Sequence, residues 1–154
     1  MIPQESPQTS SFFLGSTTES LGPLMRLASL LLCCYWTALF VGTHLPSAAM
    51  PDLKVSDKVY HLAAFAGLAF LLAWALPKRS EGLLRHFSIV FAIGLGYALM
   101  DEWSQRFIPG RVGDRWDVAA DACGVVIGFG FYLVLRATCI RVAFLRRVLV
   151  AVSR

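Results

Sequence analysis

Met100-Asp101-Glu102-Trp103-Ser104-Gln105-Arg106-Phe107-Ile108-Pro109-Gly110-Arg111 is the stretch on which the reading of this chain turns. It leaves an apolar run with two acids in succession and ends on a Pro-Gly pair, with an arginine directly after. Ionisable side chains at the rim of a hydrophobic segment are costly to bury and carry a functional reading by default. The apolar run before them, 87–100, would make only about 21 Å of helix at ~1.5 Å per residue. A bilayer's hydrocarbon core is about 30 Å thick. The helix is therefore expected to continue through Asp101 and Glu102 to about Phe107, where Pro109-Gly110 ends it. Both acids would then lie in the last turns of a membrane span.

Composition supports a membrane setting. Of 154 residues, 56% are hydrophobic and 16% charged, and the mean hydropathy is +0.62. Soluble domains carry about 25% charged residues. The apolar residues cluster into runs: 24–43 behind Arg26, 57–76 closed by Pro77, the run before Asp101, and about 116–135. The expected fold is all-α, an integral membrane bundle of four transmembrane helices over 24–136. A flexible Ser-, Thr- and Pro-rich tail (1–23) precedes it and a basic amphipathic tail (137–154) follows. Ser56 or Asp57 can cap the second helix. Arg26, the first run and Ser47-Ala48-Ala49 also resemble a cleavable leader. The run is long for that role, so a retained helix is expected. Cys33, Cys34, Cys123 and Cys139 show no C-x-x-C spacing and read as small residues facing lipid or a neighbouring helix.

The net charge is +4. In this setting it sets topology and touches anionic headgroups, and no nucleic-acid partner is implied. In a four-span arrangement nine Lys and Arg residues fall on the side of the termini and five, Lys54, Lys58, Arg106, Arg111 and Arg115, on the other. Both termini are thus expected in the cytoplasm. Asp57, Lys58 and His61, then Asp101 and Glu102, then Asp117 and Asp121 would gather at the extracytoplasmic face.

Helical spacing refines this, because residues three or four apart share a face. Asp117, Asp121, Gly124 and Gly128 form one stripe, and Gly124-x-x-x-Gly128 is a spacing that lets membrane helices approach closely. Gly94, Ala98, Glu102 and Gln105 form another, with Asp101 beside it. Asp57, His61 and Phe65 align on the second span. The acids continue the packing faces and should point into the bundle. Buried carboxylates need partners, for which Lys58, His61, Arg106, Arg111 and Arg115 are the candidates; Glu102 and Arg106 are spaced i,i+4.

Three blocks of residues resemble the VanZ-like family of small bacterial membrane proteins, named for a protein linked to teicoplanin resistance. They are Asp57-Lys58-x-x-His61-x-x-x-Phe65-x-x-Leu68, Asp101-Glu102-x-x-Gln105-x-Phe107-x-Pro109-Gly110-Arg111, and Asp117-x-x-x-Asp121-x-x-Gly124. The resemblance spans about 30–135. It departs from the family at Asp121, where Asn is usual. It implies a multi-pass protein of the bacterial inner membrane with a part in the cell envelope or glycopeptide response.

Three functions fit these residues. In the first, Arg111, Arg115 and Lys58 grip a lipid-linked or anionic headgroup, such as a cell-wall precursor, since guanidinium forks match phosphate oxygens. In the second, Glu102, Asp101, His61 and Asp117 supply an acid and base, or ligands for a hard cation, in metal-assisted attack on a phosphate-linked lipid. In the third, the ions only fix helix packing. Headgroup binding is the preferred expectation. No complete catalytic motif appears, so no catalytic residue, metal site or cofactor is assigned, and the sequence sets no oligomeric state.

Overall fold

The computed structural model describes residues 23–46, 56–76 and 82–152, with side chains from 26 to 144 in those ranges. Residues 1–22 of the expected tail 1–23, Ser47-Ala48-Ala49, the loop bearing Lys54, and the loop bearing Lys78 and Arg79 lie outside the described residues. Four helices follow one another: α1 (Pro23–Thr43), α2 (Asp57–Ala75), α3 (Leu83–Gln105) and α4 (Arg115–Val152). Each is long and apolar enough to cross a membrane.

α3 is not a short span. It opens at Leu83, four residues before the expected start, because Gly82 takes φ +96°, a conformation that side-chain-bearing residues rarely adopt, and turns the chain directly into the helix. Its 23 residues give about 34 Å, enough for the hydrocarbon core. At the other end the helix stops at Gln105, two residues short of Phe107. Phe107 and Ile108 donate backbone bonds to Ser104 and Gln105 in tightened turns before Pro109-Gly110.

The fourth helix also differs from expectation. It does not end near Leu135 but runs unbroken for 38 residues. No Gly or Pro lies between Leu135 and Val152 to stop it. The basic tail is therefore the far end of α4. Ser56 occupies the N-cap position of α2, yet its side chain makes no capping bond.

α2 and α4 form the closest pair, α3 packs mainly on α4, and α1 rests on α2. The α2–α4 contact is set by glycine. A Cβ on Gly124 would overlap the Leu62 carbonyl, and one on Gly128 the Ala66 carbonyl, so the two backbones touch. Gly94 gives the same freedom to Val125, whose Cγ2 would stand 2.6 Å from a Cβ there. Around these contacts Phe65, Leu68, Val90, Ala98, Val125 and Phe129 are buried. Tyr97 lies between Phe65 and Trp36, with ring centroids 5.7 and 5.2 Å away. Leu30, Leu84, Leu99, Phe131 and Val134 face outward, as lipid-facing side chains do. The Tyr35 hydroxyl ties α1 to α2 through the Ala64 carbonyl at 2.8 Å.

Candidate functional site

The end of α1, the start of α2, the end of α3 and the start of α4 meet at one end of the bundle, and the polar residues of all four converge there. Asp101, Glu102, Gln105, Asp117, Asp121 and His61 are all buried there, each 5% exposed or less. Burying so many carboxylates is tolerable only if each finds donors or cations. Each solves the problem differently.

Asp101 is enclosed by neutral donors. The Thr43 hydroxyl reaches Oδ1 at 2.7 Å and the Gln105 amide reaches Oδ2 at 2.7 Å. His44 stands 3.8 Å away and bonds Ser104 at 2.9 Å through Nε2. Glu102 is held by backbone: its Oε1 accepts the Asp114 N–H, while Oε2 is buried with no hydrogen-bond partner among the described residues. The expected Glu102–Arg106 pair does not form. The 111–114 loop closes over Glu102 instead, and a Cβ on Gly113 would stand only 2.9 Å from Arg106 Nε and 3.3 Å from Glu102 Oε1.

Lys58 bridges Asp114 at 2.9 Å and Asp117 at 3.2 Å. The first of these bonds is the main reason the exposed Asp114 carboxyl sits below the usual carboxylate range, with the Trp116 N–H and the Lys58 charge assisting. Asp114 also caps α4: its Oδ1 accepts the Trp116 N–H at 2.9 Å and its carbonyl accepts that of Asp117 at 3.0 Å. His61 bonds Asp121 through Nδ1 at 3.0 Å. Its Nε2 stands 4.0 Å from Asp57 Oδ2 and 4.0 Å from Asp117 Oδ2, outside hydrogen-bond range of both.

The arginines named as partners do not reach the acids. Among the described residues no ion pair joins Arg106, Arg111 or Arg115 to a buried carboxylate. Arg111 makes a long 3.4 Å bond to the Leu45 carbonyl, and Arg115 lies over the Trp116 ring at 5.9 Å. Thr43, His44 and Asp114 are the contributors that sequence reading missed. Only Asp114 carried a local signal, as an Asp just before a helical run.

A cavity of about 220 Å³ opens between α1 and α2 beside this cluster. Its deeper wall is apolar, with Leu39, Ala64 and Phe65; its polar lining is Thr43, Asp57, His61 and Arg111.

The VanZ/LLP1 family model matches residues 6–136, and the buried polar end described above lies wholly within that range. The chain belongs to the VanZ/LLP1 family. No curated protein and no solved structure matches it. Family membership and four apolar helices make it a VanZ-like multi-pass membrane protein set in a lipid bilayer. The family's polar blocks, in this chain, are the residues that close the four-helix end.

Proposed function

We propose that this VanZ-like protein holds the headgroup of a lipid-linked anion, a phosphate-bearing envelope lipid, in the cavity between α1 and α2. The observation that carries the proposal is the cavity's division. An apolar wall at Leu39, Ala64 and Phe65 suits a lipid chain, and Arg111 brings to the polar lining a guanidinium that, among the described residues, is held by one long bond. Pockets of this kind combine an apolar body with a few fixed polar groups. Lys58 is a poor gripping residue because Asp114 and Asp117 already occupy it. The nine-to-five asymmetry of Lys and Arg supports cytoplasmic termini and an extracytoplasmic site in a bacterial inner membrane. A part in glycopeptide response follows from the family resemblance and would act through this site.

The test is binding of a polyprenyl phosphate, against the neutral polyprenol, to protein in nanodiscs. The phosphate lipid should bind more tightly, and Arg111→Ala should lower that preference about tenfold, the loss of one charge-assisted contact. Equal binding of both lipids would sink the proposal and leave the polar end as a packing device. A reporter fused after Arg136 should read cytoplasm.

A further inference from the structure

We infer that Asp57, His61 and Asp117 form a binding site for a divalent first-row transition metal, of the zinc or manganese kind, with Asp121 orienting the imidazole. The inference deepens the headgroup reading, because Asp57 and His61 also line the proposed cavity.

The geometry starts at His61. An ionised Asp121 carboxylate can only accept, so the 3.0 Å contact puts the proton on Nδ1. Nε2 then presents a lone pair, although the residue is only 5% exposed. The groups it faces are two more acceptors, Asp57 Oδ2 and Asp117 Oδ2, each at 4.0 Å. One ligand atom from each of the three residues falls within 4.8 Å of the others. Ligands ~2.1 Å from a tetrahedral ion lie about 3.4 Å apart. A closing movement of under about 1 Å would complete three ligand bonds.

The surroundings have the form of a metal site's supporting shell. Ligating histidines give their other N–H to a carboxylate, and ligating carboxylates are themselves held. Asp121 does the first for His61, and Lys58 does the second for Asp117, bonding Oδ1 and leaving Oδ2 turned to the imidazole. Charge provides a separate indication. Glu102 is buried at the same end of the bundle, with one oxygen unpaired among the described residues. A dication would offset negative charge that Lys58 alone does not balance. An imidazole with two carboxylates favours zinc or manganese over calcium or magnesium, which prefer all-oxygen shells. Three protein ligands leave a coordination position open, and a phosphate oxygen in the adjoining cavity is the natural occupant.

The experiment uses full-length protein in detergent, stripped with chelator and titrated with Mn²⁺ by electron paramagnetic resonance, then with Zn²⁺ in competition. The four cysteines, all exposed, are replaced by Ser so that thiols contribute nothing. One Mn²⁺ per chain should bind, and Zn²⁺ should displace it. Asp57→Asn, at an exposed position where folding is not at stake, should weaken binding at least tenfold, and Asp121→Asn about 10–100-fold, as for other outer-shell partners. Arg136→Ala, far along α4 from the site, should leave Mn²⁺ affinity unchanged. Absence of Mn²⁺ and Zn²⁺ binding, or binding indifferent to both Asp57→Asn and His61→Ala, overturns the site. Mn²⁺ binding in protein that shows no preference for polyprenyl phosphate sustains the metal site while removing the headgroup reading. Phosphate preference in metal-free protein that takes up no ion does the reverse.

Discussion

Asp101 and Glu102 are neighbours in the chain, equally hidden from water, and yet they sit in opposite kinds of surroundings. About 100° of helical turn separates their side chains. Asp101 points toward α1 and is closed on both oxygens by Thr43 and Gln105. Glu102 points toward the start of α4 and keeps one oxygen unpaired. A fully donor-satisfied carboxylate fixes packing. A carboxyl left short of donors keeps one oxygen available to a further partner. Burial therefore does not distinguish a structural acid from a functional one here; the inventory of donors does.

The largest effect should come from Asp101→Asn. The amide oxygen can keep the Gln105 amide, and the N–H₂ then faces the Thr43 hydroxyl, which can accept while giving its own proton to the Phe40 carbonyl at 3.1 Å. Two charge-assisted bonds become neutral ones, a cost of about 2 kcal/mol. Thermal unfolding in detergent should show it, with Mn²⁺ affinity little altered. Stability equal to wild type would mean that Asp101 is not the closed, structural acid of the pair. Thr43→Val is milder. It keeps shape and removes only one donor to Oδ1, so the same measurement should show a loss of about 1–2 kcal/mol.

Glu102→Gln should give the contrary pattern. The amide oxygen can still accept the Asp114 N–H, and the group that replaces Oε2 inherits an already unpaired position. Stability should change by less than about 1 kcal/mol. Mn²⁺ binding, by contrast, should weaken severalfold as one negative charge beside the site disappears. If Glu102→Gln unfolds the protein as readily as Asp101→Asn does, the two acids share one structural role and the distinction between them falls.

The sequence made much of this legible, for a physical reason. Span lengths and helical stripes are local properties, and they identified the face carrying Gly94, Ala98, Glu102 and Gln105 and the face carrying Asp117, Asp121, Gly124 and Gly128. Partner choice is not local. Thr43 meets Asp101 across 58 positions and Lys58 meets Asp114 across 56; no periodicity within either segment encodes such a meeting. Charge complementarity suggested that arginines would neutralise the acids. The donors used instead are the Lys58 ammonium on Asp117 and, on the other acids, a hydroxyl, an amide, an imidazole and a backbone N–H, which desolvate at lower cost than a guanidinium. Helix ends were misjudged where a single conformation decides them, as at Gly82, or where no stop signal exists, as after Leu135.

The smallest effect belongs to the exposed rim, where Lys58 meets Asp114. Asp114 has its carboxyl lowered chiefly by the Lys58 bond. A carboxylate depressed on folding contributes stability that is present above its unfolded value, ordinarily 3.8, and is lost as pH falls through the lower folded value. Asp114→Asn should therefore melt slightly below wild type at neutral pH, and the gap should narrow once the pH drops below about 4, whereas Lys58→Ala also strips buried Asp117 of its ammonium and should cost more. Asp114 is exposed to solvent, so salt should erode the difference as well. Asp114→Asn keeps an oxygen for the Trp116 N–H and so retains the α4 cap. Its melting difference from wild type should vanish on the same acid side. A difference that persists unchanged at pH 3 and in high salt would show that the attraction of Lys58 for Asp114 is not what holds the loop over Glu102.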